Sequence, residues 1–237
     1  MSAVRYPLID GLRGVAIVLM LLYHFFFDLN YFHVVHFDFN TNLFWLCARA
    51  LIVSMFIILV GISLHLANTH GLNRQRYMQR LGILLVCAAA VSVASYLTFP
   101  DTMIFFGILH FIALASLIGL IFVPLYWINL VMGCAIIIAG VSVEHPFFDQ
   151  SMLQWVGFMT HKPRTEDYVP VFPWLGVVLI GIFLAKYIYR EPVPGFARWQ
   201  GDSAIGRVLI LGGRYSLLIY MLHQPLFIGI LYLFFGQ

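Results

Sequence analysis

The sequence predicts an all-α integral membrane protein, a bundle of about seven transmembrane helices with a cytoplasmic N-terminus. Three observations carry that prediction. Hydrophobic residues make up 62% of the 237 positions and charged residues only 10%, against about one quarter charged in soluble domains. The mean hydropathy is +0.94. Apolar runs recur at the length of roughly 20 residues that a 30 Å hydrocarbon core demands, and the basic residues between them fall mostly on one side.

The expected spans are 12–31, 43–67, 81–99, 104–122, 125–143, 170–189 and 208–234. The first is a retained helix rather than a signal peptide, since it is long, carries Asp28 and precedes no small-residue cleavage site. Pro124 divides the run 104–143 into two spans, with one proline-kinked helix as the competing reading. Pro170 and Pro173 mark the entry to the sixth helix. With no repeat and no low-complexity segment, residues 1–237 read as a single domain.

Positive charge orients the stack. The N-terminal side holds ten basic residues: Arg5, Arg13, Arg74, Arg76, Arg80, Lys186, Arg190, Arg198, Arg207 and Arg214. The opposite side holds three, Arg49, Lys162 and Arg164. The N-terminus is therefore expected in the cytoplasm and the C-terminus outside, by default in a bacterial-type inner (plasma) membrane. The polar stretch 143–170 is then external, and its length suits covering or building a site. Residues 186–207 mix Pro, Gly, Arg and Trp as an interfacial loop does.

Several classes drop out. No basic run suggests nucleic acid, and no acidic tract suggests cation buffering. Cys47, Cys87 and Cys134 are dispersed in apolar sequence and form no CxxC or Cys/His pattern, so neither a disulfide framework nor a metal site is expected; they read as packing residues. There is no GxSxG, HExxH or Walker loop. The last span has no lysine, which speaks against a retinal protein.

The chemistry lies in polar groups set into the apolar runs. "RYPLIDGLRGVAIVLMLLYHFFFDL" (5–29) carries Asp10, Arg13, His24 and Asp28. At about 100° per residue, with Arg13 at zero, His24 falls near 20° and both aspartates near 60°. All four share one face, and His24 sits about 16 Å beyond Arg13, near the membrane middle. His110 and His223 reach similar depth, and Ser216, Tyr220 and His223 share a face. Intramembrane ionisable groups are costly, and they mark functional sites by default. A cavity with a His, a carboxylate and an Arg could bind an anion and take a proton from a nucleophile, or relay protons in a carrier or channel. A scaffold role is the third reading.

Five strings in order resemble the membrane-bound acyltransferases that use acyl-coenzyme A: "RYPLIDGLRGVAIVLMLLYH", "FIILVGISL", "FGILHFIAL", "DYVPVFPWLGVVLIG" and "GRYSLLIYMLHQPLF". Closest is the heparan-alpha-glucosaminide N-acetyltransferase catalytic-domain family in its short bacterial form, nearly end to end. The resemblance implies transfer of an acetyl group from cytoplasmic acetyl-CoA to a hydroxyl or amine of a sugar or glycan acceptor at the opposite face. The type 3 acyltransferases share the DGLRG-to-His spacing, which implies His24 as base. The eukaryotic heparan enzyme has Asn there, with its active histidine in the following loop, where this chain has His33 and His36. His36 is the better match, one residue out of register. Those eukaryotic relatives are longer, with more helices and a luminal domain.

The expected site is thus His24, His36 and Asp10 (or Asp28) for chemistry. Arg13 and Arg80, beside Arg74 and Arg76, are expected to hold donor phosphates through their bidentate forks, with His110 and His223 along the donor path. Asp167, Tyr168 and Trp174 are expected at the acceptor, where the rings could stack on a sugar or anchor the interface. The bilayer and a homodimer complete the expected partners; no metal is expected. The orientation has a direct check in a cysteine-free background. A membrane-impermeant maleimide applied from outside should label Lys162→Cys and spare Arg74→Cys until the membrane is opened. The reverse pattern would invert the topology.

Overall fold

Why the helices start and stop where they do follows from local signals in the chain. The computed structural model describes residues 6–69 and 71–235, so Arg5 lies outside the described residues. Its α-helices are α1 (Pro7–Tyr31), α2 (Leu43–Asn68), α3 (Arg74–Thr98), α4 (Ile108–Phe122), α5 (Trp127–Ser142), α6 (Val171–Ile188), α7 (Ala204–Arg214) and α8 (Ser216–Phe235), with no strand among the described residues. The protein is all-α, and α1, α2, α3, α6 and α8 are long and apolar enough to cross a membrane. The apolar α4 and α5 are shorter, at 15 and 16 residues.

Three boundaries depart furthest from expectation. Helix α1 begins at Pro7, whose ring presets the helical φ, with Asp10 complementing the helix dipole in the first turn. Helix α3 begins at Arg74, because Asn73 caps it by accepting the Arg76 N–H at 3.0 Å. The expected seventh span, 208–234, is two helices, broken at Tyr215. Helix α7 has 11 residues, a rise of about 16 Å, too short to span. It is capped by Ser203 and buries Gly206, Ile210 and Gly213 at i, i+4 and i+7, so it packs along one face while exposing Val208 and Leu211.

Pro124 does divide two helices. Asn129, fully buried, donates from Nδ2 to the carbonyls of Phe122 and Leu125 at 3.0 and 2.7 Å. It thereby satisfies acceptors that the end of α4 leaves open.

The chain separates into two compact units, the first Met1–Phe56 with Val193–Gln237 and the second Ile57–Pro192. In unit one, α1 and α7 meet backbone to backbone. A Cβ on Gly213 would overlap the Asp10 carbonyl oxygen, one on Gly14 the Leu209 carbonyl, and one on Gly11 would lie 2.6 Å from the Trp199 ring. Ile17, Met20 and Tyr23 of α1 pack with Phe39 and Ile52, and Trp45 lies against Phe39 with ring centres 4.3 Å apart. The intervening loop is tied by Asp38, which accepts from the N–H groups of Asn40 and Thr41, each at 2.9 Å, and from the Thr41 hydroxyl.

Unit two repeats the device. Gly133 of α5 and Gly176 of α6 face each other's backbone, Gly140 faces Pro173, and Gly61 faces Gly181. Tyr77 donates to the Ser116 carbonyl at 2.9 Å, joining α3 to α4. In each unit large apolar side chains point outward, Leu97 74% and Ile121 72% exposed in unit two and Leu233 83% in unit one. That is the surface an integral membrane protein turns to lipid. Cys47 and Cys134 lie on it, exposed rather than packed as expected, because the apolar solvent makes an outward thiol cheap.

Two outcomes follow. Gly213→Ala should destabilise the detergent-solubilised protein by about 3 kcal/mol or more in an unfolding titration. Gly82→Ala, with nothing within 4 Å of its added Cβ, should be neutral or slightly stabilising. Equal effects would mean that the α1–α7 contact yields. Separately, hydrogen bonds from Thr41, with one from the Asn40 N–H, hold the Asp38 carboxyl below its ordinary value. Its contribution to loop stability is therefore present above the ordinary carboxylate pKa and lost as pH falls through the lowered one. The Thr41 amide resonance should titrate with that low midpoint, and Thr41→Val should raise it.

Candidate functional site: an imidazole pair in unit one

Tyr23 turns into the packed cluster of unit one, so His24, one step along α1, turns to another side and meets α8. Four α1 residues later comes Asp28, only 4% exposed. A buried carboxylate must be hydrogen-bonded. The amide of Gln224, on α8, lies between Asp28 and His24. An ionised carboxylate only accepts, so beside ionised Asp28 the amide presents its nitrogen to Asp28 and its oxygen to His24. In that orientation Gln224 Nε2 donates to the two Asp28 oxygens at 3.2 and 3.1 Å, and Oε1 accepts from His24 Nδ1 at 2.8 Å. The proton of neutral His24 is then on Nδ1, and its Nε2 carries a bare lone pair.

His223 reaches the same state by another route. Its Nδ1 faces the Tyr220 carbonyl at 2.6 Å, and a carbonyl can only accept. His223 is 6% exposed, and its Nε2 is buried without a hydrogen-bond partner. The two rings meet edge to face, with centres 4.9 Å apart. Pro225 follows directly after Gln224, inside α8; it has no N–H, so the Met221 carbonyl loses its helical partner beside the pair. In this arrangement the two adjacent imidazoles each have Nδ1–H engaged and Nε2 unprotonated. Such a pair can accept a proton from a hydroxyl or amine.

The other expected residues fall as follows. Asp10 binds Arg13 at 3.0 Å and Arg214 at 3.7 Å. Fourteen residues of continuous helix put it about 21 Å from His24, so Asp28 is the carboxylate near the imidazole, with the Gln224 amide between them. His36 is exposed in the loop after α1, as is His33, which has a positive φ of 58°. His110, in unit two, has both nitrogens engaged: Nδ1 accepts the Gly107 N–H at 3.3 Å, and Nε2 pairs with Ser92 Oγ at 3.1 Å. It locks the start of α4. Arg80 is exposed on α3 of that unit.

Asp167 also caps α4, accepting the Ile108 N–H at 2.8 Å. Tyr168 donates to the Gln154 carbonyl at 2.6 Å, and burial pushes its hydroxyl up to about 12. Trp174 is half-buried at the start of α6. Around these residues, stretch 165–169 is bonded to 102–106 through Glu166 N–H to Thr102 and Val169 N–H to Phe106. A cleft of about 490 Å³ opens there, lined by Asp101, Met103, Phe105, Gln154, Lys162 and Arg164 among others. Among the described residues, no group of three or more His, Cys, Asp or Glu could hold a metal ion.

Gln224 was not among the residues expected from sequence. Its signal was an amide inside an apolar helix, in "HQP", which needs a partner in hydrocarbon as much as the histidine does.

No curated protein and no solved structure matches the chain. The family model described as "Heparan-alpha-glucosaminide N-acetyltransferase, catalytic" matches residues 5–225. That span takes in the polar face of α1 together with His223 and Gln224 of α8, and the chain belongs to the heparan-alpha-glucosaminide N-acetyltransferase catalytic-domain family.

Proposed function

We propose that this protein transfers an acetyl group from acetyl-CoA to a hydroxyl or amine of a sugar-like acceptor, with His24 Nε2 as general base. The observation that carries this reading is the juxtaposition in unit one of His24, Gln224 and His223: the Gln224 amide meets His24 Nδ1 at 2.8 Å, and the two imidazole rings lie 4.9 Å apart. Family membership supports the reaction class. In the step envisaged, the acceptor's O–H or N–H gives its proton to His24 as its lone pair attacks the thioester carbonyl. The C–S bond then breaks, and the coenzyme A sulfur takes the proton back from the imidazolium. Asp28, linked through Gln224, stabilises that cation.

At the other end of α1, Arg13, Arg214 and Asp10 form a cluster of formal charge +1. We assign Arg13 to the phosphates of the donor, since a guanidinium presents two parallel donors to phosphate. The thioester would then lie toward His24. The positive-inside bias supports entry of the donor from the cytoplasm and acceptance at the opposite face.

The test uses purified full-length protein in nanodiscs, with release of free coenzyme A thiol followed over a panel of amino sugars and glycans. His24→Ala should lower kcat about 10³-fold, within the usual range for a lost general base, while acetyl-CoA binding stays within about threefold. Arg13→Ala should weaken acetyl-CoA binding about tenfold or more. If His24→Ala leaves acetyl transfer intact, His24 is not the base. If wild-type protein releases no coenzyme A but proteoliposomes carry a proton current, the imidazole pair is a relay and the transferase reading fails.

A further inference from the structure

We propose that Gln224 is a positioning residue: anchored by Asp28, it holds the His24 imidazole in the Nδ1–H form and so reserves Nε2 for the acceptor's proton. The inference rests on the reading of His24 as base, but its first readout does not need activity. An amide between two partners can be turned either way by rotation about its last torsion. Turned one way, Gln224 presents Oε1 to His24 and Nδ1 carries the proton. Turned the other way, it presents Nε2–H, Nδ1 must accept, and the proton moves to Nε2, leaving no base there. Asp28 in its ionised form removes this choice. Both of its oxygens lie 3.1–3.2 Å from the same amide atom, and a carboxylate tolerates only a donor.

The arrangement differs from a carboxylate bonded directly to imidazole. The negative charge is held one amide away, so the amide transmits orientation through two hydrogen bonds while keeping the charge off the ring. His223 beside it needs no such device, because the Tyr220 carbonyl can only accept. The two imidazoles therefore reach one protonation pattern by two means, one of them built from α1 and α8 together.

The experiment has two arms. In the first, wild-type full-length protein in nanodiscs is labelled with ¹⁵N/¹³C-histidine, and His24 is assigned from the signals missing in His24→Asn. The expected result is a protonated Nδ1 and a bare Nε2; a proton on Nε2 overturns the proposal. In the second, Asp28→Asn restores the freedom of Gln224, because an amide in place of the carboxylate can donate or accept. It should lower kcat about tenfold or more, through the mixed tautomer together with the lost negative charge that stabilises the imidazolium, with KM for donor and acceptor within about twofold, and His24 should show a mixture of Nδ1- and Nε2-protonated rings.

The double variant D28N/Q224E reverses the roles. The amide introduced on α1 donates to the carboxylate introduced on α8, whose other oxygen accepts the His24 Nδ1–H, so kcat should recover at least about tenfold over D28N. A double variant no better than D28N, or a D28N enzyme with unchanged kcat, overturns the proposal. Where D28N fails to fold, the wild-type tautomer alone decides. Absence of acetyl transfer by wild-type protein would instead overturn the proposed function, with the tautomer still measurable.

Discussion

In unit one the carbonyl oxygen of Asp10 occupies the place where a side chain at Gly213 would begin, and Leu209 stands in the same relation to Gly14. Lipid tails are as apolar as leucine, so no hydrophobic force drives one membrane helix onto another. Dispersion and polar contacts must do it, and both fall steeply with distance. Backbone contact at glycine is the closest approach available. The same constraint fixes unit two, where Gly133 meets Gly176 and Gly61 meets Gly181. It also explains why α7 exists as a separate helix: its buried residues include Gly206 and Gly213, and it lies along α1 rather than extending α8.

Close approach has a second consequence. Polar groups brought inside must find partners among themselves, because hydrocarbon offers none. The histidines show the two ways this can end. His110 has both ring nitrogens used, one by the Gly107 amide and one by Ser92, and these bonds hold the start of α4. His24 and His223 each have Nδ1 against a polar partner, the Gln224 amide and the Tyr220 carbonyl, and Nε2 of His223 has no hydrogen-bond partner. A histidine with both nitrogens bonded has no lone pair or proton to spare, whereas one bonded at a single nitrogen keeps the other uncommitted. Asn129 and Asp167 belong with His110, closing helix ends that would otherwise expose backbone groups.

The polar face of α1 was readable because its spacing is local: Asp10, Arg13, His24 and Asp28 recur at helical intervals within one segment. What spacing could not reveal is which of them cooperate. A common face does not make neighbours of residues fourteen apart, and Asp10 pairs with Arg13 and Arg214 at one end while Asp28 serves His24 at the other. Residues 165–169 read as an external stretch, yet Asp167 and Tyr168 are bound to atoms far away in the chain or across the loop. The break at Tyr215 was hidden because α7 and α8 make one apolar run, and hydropathy does not register a turn between apolar helices.

The sequence by itself determined the solvent of this protein, its helical class, the outer limits of most helices and the stripe of ionisable groups on α1. These depend on composition, on the 3.6-residue repeat and on caps and prolines, all of them properties of adjacent residues. The tertiary structure alone decided what the His24 imidazole faces. That depends on Gln224, two hundred positions away, being carried by α8 to the gap between His24 and Asp28. Hydrogen-bond direction is a property of three groups at once, and only folding brings the three together.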